Sequence, residues 1–247
     1  PRDFIRRLVA PVVDGEDFST GYHKVVARDT GIVTMAYALC VQLMRYLQGI
    51  SSFTQLWGGA MCFRLSAFRR YGVREFWMSN VVDDCSLADR LIHLGARIRL
   101  SGDAVLMTEA REHDLGVWHH WMDRQILFLK FCIPYQWVLL GVLACLMLLP
   151  VLWAVLAVLG VLLGKLSFGW LVGVLVYAAA LALVLRSWAH FQEAVFPVWR
   201  WMVAFCASAC MFVWVYLGTI LAEGVLWQGI WYEVGRQGRV IRMRRQK

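Results

Sequence analysis

Hydrophobic and polar positions divide the chain into parts with different patterns. Up to residue 130, short apolar stretches alternate with charged and turn-forming residues at spacings typical of helices and strands. From residue 131 to residue 222, the apolar runs are long and carry few charges, and the residues that follow are rich in arginine. We therefore predict an α/β region over 1–130, a membrane region over 131–222 and a basic cytoplasmic tail over 223–247.

Helices and short strands are predicted to alternate in the first region. Apolar residues at helical spacing predict an amphipathic helix over residues 2–10 that ends near Pro11. Residues 31–48 are apolar but contain Gln42 and Arg45, so a buried or interface-facing helix is favoured over a membrane span.

Glycines and an acidic pair mark the elements that follow. Gly58 and Gly59 predict a turn that leads into a strand over residues 60–65. Another helix is predicted to begin after Asp84, and the alternating segment behind it predicts one or two strands. Helices that alternate with short strands indicate an α/β layer.

The second region contains long apolar segments. The chain carries no charge from Phe131 to Gly164. At about 1.5 Å per residue, a helix of this length is too long for one crossing of the bilayer and too short for two. We predict spans at about 137–160 and 166–185, and a third candidate span over 201–222.

The number of spans conflicts with the charge of the tail. If the α/β region faces the cytosol, three spans place the basic tail on the opposite side, against the preference of Lys and Arg for the cytoplasmic face. Either one segment does not cross fully, or the tail is an exception. The polar residues Ser208 and Thr219 make 201–222 the segment favoured not to cross.

Composition narrows the classes of partner. The net charge is +8, but no nucleic-acid-binding motif accompanies it, so the basic residues beside the membrane region indicate a bilayer as partner and no nucleic acid. The seven cysteines lack metal-site spacing and predict neither a zinc site nor a disulfide framework. Such cysteine usage fits a reducing compartment.

The segment NVVDDCSLADRL (80–91) contains two adjacent carboxylates. In one interpretation, Asp84 is only the N-cap of the helix that follows. In the other, Asp84 is a general base, because mutual repulsion with Asp83 raises one pKa and leaves a proton acceptor at neutral pH. The two interpretations are compatible, since a cap holds its side chain rigidly.

The segment WGGAM, which starts at Trp57, also has two interpretations. In one, Gly58 and Gly59 form an ordinary turn. In the other, the absence of Cβ atoms lets a substrate approach the backbone, whose amides donate hydrogen bonds to the substrate.

A similar choice applies to VWHHWMDRQILFLK (117–130). Trp121, Arg124 and Gln125 lie on an amphipathic interfacial helix, or they bind a phosphate and a sugar. The neighbouring pair of histidines has no third ligand at metal spacing and is assigned to the interface.

Taken in order, these segments resemble a membrane-bound family 2 glycosyltransferase. Within that family the chain is most similar to the bacterial branch related to ceramide glucosyltransferases, and the similarity covers nearly the whole chain. The segments that carry it are TGYH (20–23), WGGAMCFRLSAFRRYGV (57–73), SNVVDDCSLADRLIHLGARI (79–98), WMDRQ (121–125) and WQGIWYEV (227–234).

The resemblance implies a GT-A domain of Rossmann-like fold and assigns roles to residues. Asp84 matches the catalytic base and Asp83 its acidic neighbour. Trp57, Gly58 and Gly59 match the acceptor-binding motif. The other residues that match substrate-binding positions are Trp121, Arg124 and Gln125. They resemble a Trp-x-x-Arg-Gln variant, whereas many relatives have Gln-x-x-Arg-Trp.

A second departure concerns the metal. Relatives hold Mg²⁺ or Mn²⁺ with an Asp-x-Asp motif, which the chain lacks. We therefore expect no metal ligands in this chain and an Asp-x-Asp motif upstream of it. On this expectation the chain is a C-terminal fragment, inactive alone, that lacks the nucleotide-binding half.

The function that the resemblance implies is an inverting sugar transfer from a nucleotide sugar, a UDP-sugar above all, to a hydroxyl of a membrane lipid. We expect a bacterial inner-membrane enzyme whose catalytic part faces the cytosol. One alternative is a processive polysaccharide synthase, which the scarcity of polar residues in the spans disfavours. Another is a non-catalytic membrane module.

Overall fold

The computed structural model describes residues 2–48, 56–193 and 196–245. The first elements in chain order are α1 (Phe4–Val13), β1 (Phe18–Ala27), α2 (Ile32–Gln48), β2 (Met61–Phe63), α3 (Leu65–Arg70), α4 (Val73–Trp77), α5 (Cys85–His93) and β3 (Ile98–Ala110). They are followed by α6 (Leu115–Cys132), α7 (Pro134–Leu162), α8 (Gly169–Ala189), α9 (Val198–Thr219), β4 (Gly224–Trp227), β5 (Ile230–Val234) and β6 (Val240–Arg245).

A three-stranded mixed sheet forms the centre of the α/β region. β1 is the middle strand, with β2 antiparallel on one side and β3 parallel on the other. α1 and α2 pack on this sheet, and α3, α4 and α5 enclose the fully buried Phe18 at the start of β1. The prediction of mixed α/β structure is confirmed, and the alternating segment behind α5 forms the single strand β3.

The predicted end of the first helix is wrong, because α1 continues through Pro11 to Val13. A proline inside a helix has no N–H for the carbonyl four residues earlier. That carbonyl belongs to Arg7, and it accepts a hydrogen bond of 2.8 Å from the Ser101 hydroxyl of β3. A tertiary contact thus satisfies the group that the proline leaves free.

α2 is the buried helix that the sequence favours for residues 31–48. It packs against β1 on one side and α9 on the other, and Met35 and Ala36 are fully buried. Gln42 is the polar residue that interrupts the apolar pattern. Its side-chain oxygen accepts a hydrogen bond of 2.6 Å from the buried Gln192 amide, so this polar group is satisfied inside the protein.

Within the described residues, three helices are long and apolar enough to cross a membrane, namely α7, α8 with the short 3-10 turn behind it, and α9. α7 and α8 overlap the predicted spans and pack against each other, with the Trp153 and Trp170 rings 6.4 Å apart. In their most apolar windows, 11% of α7 and 6% of α8 is buried, compared with 39% of α9. α9 is therefore covered by protein to a much greater extent than the other two.

The basic segment behind α9 folds into a second, antiparallel sheet in the order β4-β5-β6. Gln228 and Gly229 both have positive φ, 49° and 74°, in the turn that pairs Trp227 with Ile230. Two positive φ values are typical of a two-residue hairpin turn. The sequence predicts only a basic tail here, and the sheet was not predicted; residues 246 and 247 of that tail lie outside the described part.

Candidate functional site

Asp84 is the N-cap of α5, as one interpretation of the acidic pair predicts. Its Oδ1 accepts a hydrogen bond of 2.5 Å from the Cys85 amide, so the carboxylate satisfies a free N–H at the helix start. Its Oδ2 accepts a second bond of 3.1 Å from the Gly58 amide, 26 residues earlier in the chain. The cap therefore also fixes the carboxylate against the glycine turn, a name used from here on for residues 57–60.

Both carboxylates of the acidic pair lie over Gly58. A Cβ atom on Gly58 would stand 3.2 Å from Asp84 Oδ2 and 3.3 Å from each Asp83 carboxylate oxygen. At Gly59, a Cβ atom would overlap the indole ring of Trp57. A larger residue at Gly58 would push against the acidic pair, and one at Gly59 would require the Trp57 ring to move.

The two aspartates differ in their surroundings. Asp83 is exposed, while its backbone carbonyl accepts a bond of 2.9 Å from the Trp77 indole N–H. Asp84 is half-buried, and burial raises the pKa of its carboxyl, with the Asp83 charge adding to the rise. The amides of Cys85 and Gly58 favour the ionised form and oppose this rise.

The segment TGYH on β1 holds the glycine turn from the other side. Thr20 Oγ1 accepts a hydrogen bond of 2.9 Å from the Trp57 amide, and the Gly21 amide donates to the Ala60 carbonyl at 2.9 Å. The His23 ring stacks on Trp57 with centroids 5.0 Å apart. These contacts fix the turn before any substrate binds.

Tyr22 and Tyr37 connect the acidic pair to α6. Burial raises the pKa of Tyr22, and the charges of Tyr37 and Asp84 add to the rise, so both groups lie within electrostatic range of its hydroxyl. Tyr37 packs edge-on against Trp121 at 5.0 Å, and burial raises its pKa, with Arg124 acting in the opposite sense. Neither tyrosine was assigned a role from the sequence, and the TGYH segment (20–23) is the signal that points to Tyr22.

The α6 turn, defined as residues 121–125, carries the other predicted site residues. The Arg124 Nε atom is buried and has no hydrogen-bond partner within the described part of the chain. A buried donor without a partner calls for an explanation, and the indole nitrogen of Trp201 is in the same condition within the described residues. Gln125 is half-buried on the same turn.

The second sheet clamps the aspartate loop, defined as residues 79–84. The Val81 amide donates to the Gly238 carbonyl at 2.9 Å, and the Val240 amide donates to the Ser79 carbonyl at 2.9 Å. The Asn80 side chain donates to the Gln237 carbonyl at 2.6 Å. The segment that leads into the acidic pair is thus held by the C-terminal end of the chain.

The residues that the structure describes do not fit a divalent metal on their own. No group of three His, Cys, Asp or Glu side chains that could hold a metal ion occurs among the described residues. Both oxygens of Asp84 already accept backbone hydrogen bonds, from Cys85 and Gly58, which leaves Asp83 as the free carboxylate. Divalent cations such as Mg²⁺ need several oxygen ligands.

The family is decided by the sequence profile that the chain matches. Residues 39–240 match the profile described as glycosyl transferase family 21. The chain belongs to this family. The match spans the glycine turn, the aspartate loop and the α6 turn, and it confirms the prediction of a glycosyltransferase enzyme.

The assignment refines the resemblance stated from the sequence. The matching profile is that of family 21 rather than family 2, and it is consistent with a ceramide-glucosyltransferase-like protein. No curated protein and no solved structure matches this family 21 glycosyltransferase.

Proposed function

We propose that this glycosyltransferase transfers a sugar from a nucleotide sugar, a UDP-sugar above all, to a hydroxyl of a membrane lipid, with inversion at the anomeric carbon. The observation that carries the proposal is the geometry of Asp84. Its carboxylate is fixed by two backbone amides, has a raised pKa and faces a turn of bare glycine backbone. These are the properties of a general base that meets its acceptor at that turn.

The Asp84 carboxylate would take the proton of the acceptor hydroxyl as the oxygen attacks the anomeric carbon. The new carbon–oxygen bond forms while the bond to the diphosphate breaks, and the nucleoside diphosphate leaves with the bonding electrons. One direct displacement inverts the configuration. The charge of Asp83, which is exposed beside Asp84, helps to raise the pKa of Asp84.

Arg124 is the residue proposed to bind an anionic part of the substrates, because its buried Nε has donor capacity to spare. Trp121 supplies a ring beside it on which a sugar can stack, and we include Gln125 of the same turn as a substrate-binding residue. A divalent cation, Mg²⁺ or Mn²⁺, stays a prediction of the resemblance, and no step proposed here depends on it.

A lipid acceptor is supported by the position of the membrane helices. α7 follows α6 after the single residue Ile133, so the α6 turn lies close along the chain to an apolar helix long enough to span a bilayer. We propose three parts: a GT-A-type domain that ends with α6, a membrane region and the basic C-terminal sheet. We further propose that the site faces the cytosol at a bacterial inner membrane, where arginine-rich segments are favoured.

An assay of substrate classes tests this function. The full-length protein in nanodiscs is offered UDP- and GDP-sugars, each with and without a total lipid extract. We expect nucleotide release from one sugar donor that depends on the extract, together with one glycolipid product that carries a single added sugar. A long polymer as product would support a polysaccharide synthase, and the absence of release with every donor would contradict the proposal.

A further inference from the structure

Both ends of α9 are attached to the α/β region. Near its start, the Arg200 guanidinium donates a hydrogen bond of 3.3 Å to the Thr30 carbonyl, just before α2. At its end, the ammonium group of Lys130 in α6 donates to the carbonyls of Thr219 at 2.7 Å and Ala222 at 2.6 Å. Lys130 thereby satisfies carbonyls that the end of a helix leaves free.

The middle of α9 lies on the same region. The buried Ser208 hydroxyl is shared between the Ala204 carbonyl of its own helix at 2.8 Å and the Ala36 carbonyl of α2 at 3.3 Å. A helix of 22 residues is about 33 Å long and long enough to cross a hydrocarbon core of about 30 Å. If α9 crossed the bilayer, only one of its ends could contact the α/β region. Both ends and the middle of α9 contact it instead.

α7 and α8 are attached at one end each. At the start of α7, the Trp137 indole donates to Thr219 Oγ1 at 3.1 Å and stacks on Tyr216. Directly behind α8, Glu193 forms an ion pair of 2.8 Å with Lys24 of β1. The opposite end of the pair, around the exposed Lys165, is the part that extends away from the α/β region.

One face of α9 remains uncovered and is apolar throughout. Its exposed residues recur at helical spacing, and Trp199 and Trp214 are 57% and 72% exposed. This exposed stripe consists of Trp199, Val203, Cys210, Trp214 and Leu217. α7 and α8 also expose apolar residues along their lengths.

We propose that α9 lies in the plane of the membrane interface, with its exposed stripe against lipid acyl chains. In the described part of the chain, the bilayer is then crossed only by the α7–α8 hairpin. Apolar helices whose outer face enters the boundary between headgroups and acyl chains bind membranes in this way. The contacts of α7, α8 and α9 carry this proposal, and it does not depend on the sugar-transfer reaction.

This topology places the second sheet on the same side of the membrane as the aspartate loop that it clamps. Its arginines then lie on the same face as the α/β region, so two crossings remove the conflict between three spans and a basic tail. The arginines concerned are Arg236, Arg239, Arg242, Arg244 and Arg245.

Labelling of single cysteines tests the proposal in membranes that contain the full-length protein. The native cysteines that are not buried, Cys62, Cys145, Cys206 and Cys210, are first replaced by alanine. Three variants then carry Arg69→Cys on α3, Lys165→Cys between α7 and α8, or Arg244→Cys on β6, all at exposed positions. Each is treated with a membrane-impermeant maleimide in sealed vesicles of both orientations, and again after detergent to verify that the thiol reacts.

We expect the Arg244→Cys variant to be labelled in the same vesicle orientation as the Arg69→Cys variant and in the opposite orientation to the Lys165→Cys variant. Labelling of the Arg244→Cys variant together with the Lys165→Cys variant would mean that α9 crosses the bilayer and would overturn the proposal.

A measurement of depth provides a second, independent test. Spin labels at Val203, Cys210 and Leu217 sample three positions along the exposed stripe. An in-plane helix places the three labels at similar depths, as judged by the ratio of their oxygen and nickel-chelate accessibilities. A much deeper label at Cys210 than at the other two positions is the signature of a spanning helix and would contradict the proposal.

Discussion

The two parts of the candidate site are built differently. On the aspartate loop, both oxygens of Asp84 accept backbone hydrogen bonds, and the glycine turn and the second sheet hold the loop in place. On the α6 turn, Trp121 packs on Tyr37, while the buried Nε of Arg124 has no partner among the described residues. The first part is arranged before a substrate arrives, and the second has hydrogen-bonding capacity that a ligand can fill.

This difference suggests a division of labour. A general base must be held at the right distance from the proton that it removes, so a preformed scaffold around Asp84 suits it. A group that binds charge on a substrate gains by keeping its donors free until the substrate binds. Substitutions in the two parts are therefore expected to affect kcat and KM in different proportions.

After substitution of the proposed base Asp84, the largest effect is expected from Gly58→Ala. The added Cβ atom would stand 3.2–3.3 Å from carboxylate oxygens of both aspartates and displace them from the acceptor. We expect a loss in kcat of up to about 100-fold, the effect that corresponds to a displacement of about 1 Å in a catalytic group. Steady-state kinetics of the full-length protein measures it.

Gly102→Ala is the matched control, because a Cβ atom there has nothing within 4 Å. Its kcat is expected to equal that of the wild type. Similar activity of the Gly58 and Gly102 variants would show that the contact between glycine turn and carboxylates is unimportant.

The next effect is expected from Arg124→Gln on the α6 turn. Loss of a charge-assisted contact to a substrate corresponds to roughly 10- to 100-fold, and we expect it mainly in the KM for the donor. Gln125→Ala, on the same turn, is expected to have a smaller effect. A fall in kcat with unchanged KM for Arg124→Gln would assign the residue to the chemistry instead of binding.

The raised pKa of Asp84 predicts a pH dependence. A base acts only when ionised, so kcat/KM should rise with pH through the raised pKa and be lost as the pH falls below it. Asp83→Asn removes a charge that raises this pKa, and the acidic limb should move to lower pH. Profiles of kcat/KM against pH for both proteins measure the shift, and a shift to higher pH would contradict the assignment.

The smallest effect is expected from Asn80→Ala, which removes the 2.6 Å hydrogen bond between the aspartate loop and the second sheet. The loss corresponds to about 1 kcal/mol, or roughly 2–4 °C in Tm for a protein of this size. Thermal unfolding in nanodiscs measures it. An unchanged Tm would indicate that the backbone bonds of Val81 and Val240 hold the loop without help.

Local sequence was sufficient for the parts of the site that depend on local chemistry. Asp84 could be predicted as a cap because a carboxylate precedes a helical pattern, and the glycines could be predicted as a turn from their conformational freedom. The hydrogen bond between Gly58 and Asp84 joins residues 26 positions apart and has no local signal. The same holds for Tyr37, whose position depends on how α2 packs against α6.

The membrane region shows a different limit. α8 and α9 have similar length and hydropathy, yet α9 is far more buried, since composition reports how apolar a helix is and not what covers it. The second sheet was missed because its strands are short and its last strand, β6, is rich in arginine, which is unfavourable for a predicted core strand. Gln228 and Gly229 were the available signal, as residues suited to a hairpin turn.

The central claim is that Asp84 is the base of a lipid-dependent sugar transfer. Its most direct test compares nucleotide release by the full-length wild type and by Asp84→Asn in nanodiscs with lipid extract, beside the exposed control Asp103→Asn. We predict that Asp84→Asn lowers lipid-dependent release by about 100-fold or more while the control retains full activity. Equal release by all three proteins would show that Asp84 is only a helix cap and that the base lies elsewhere.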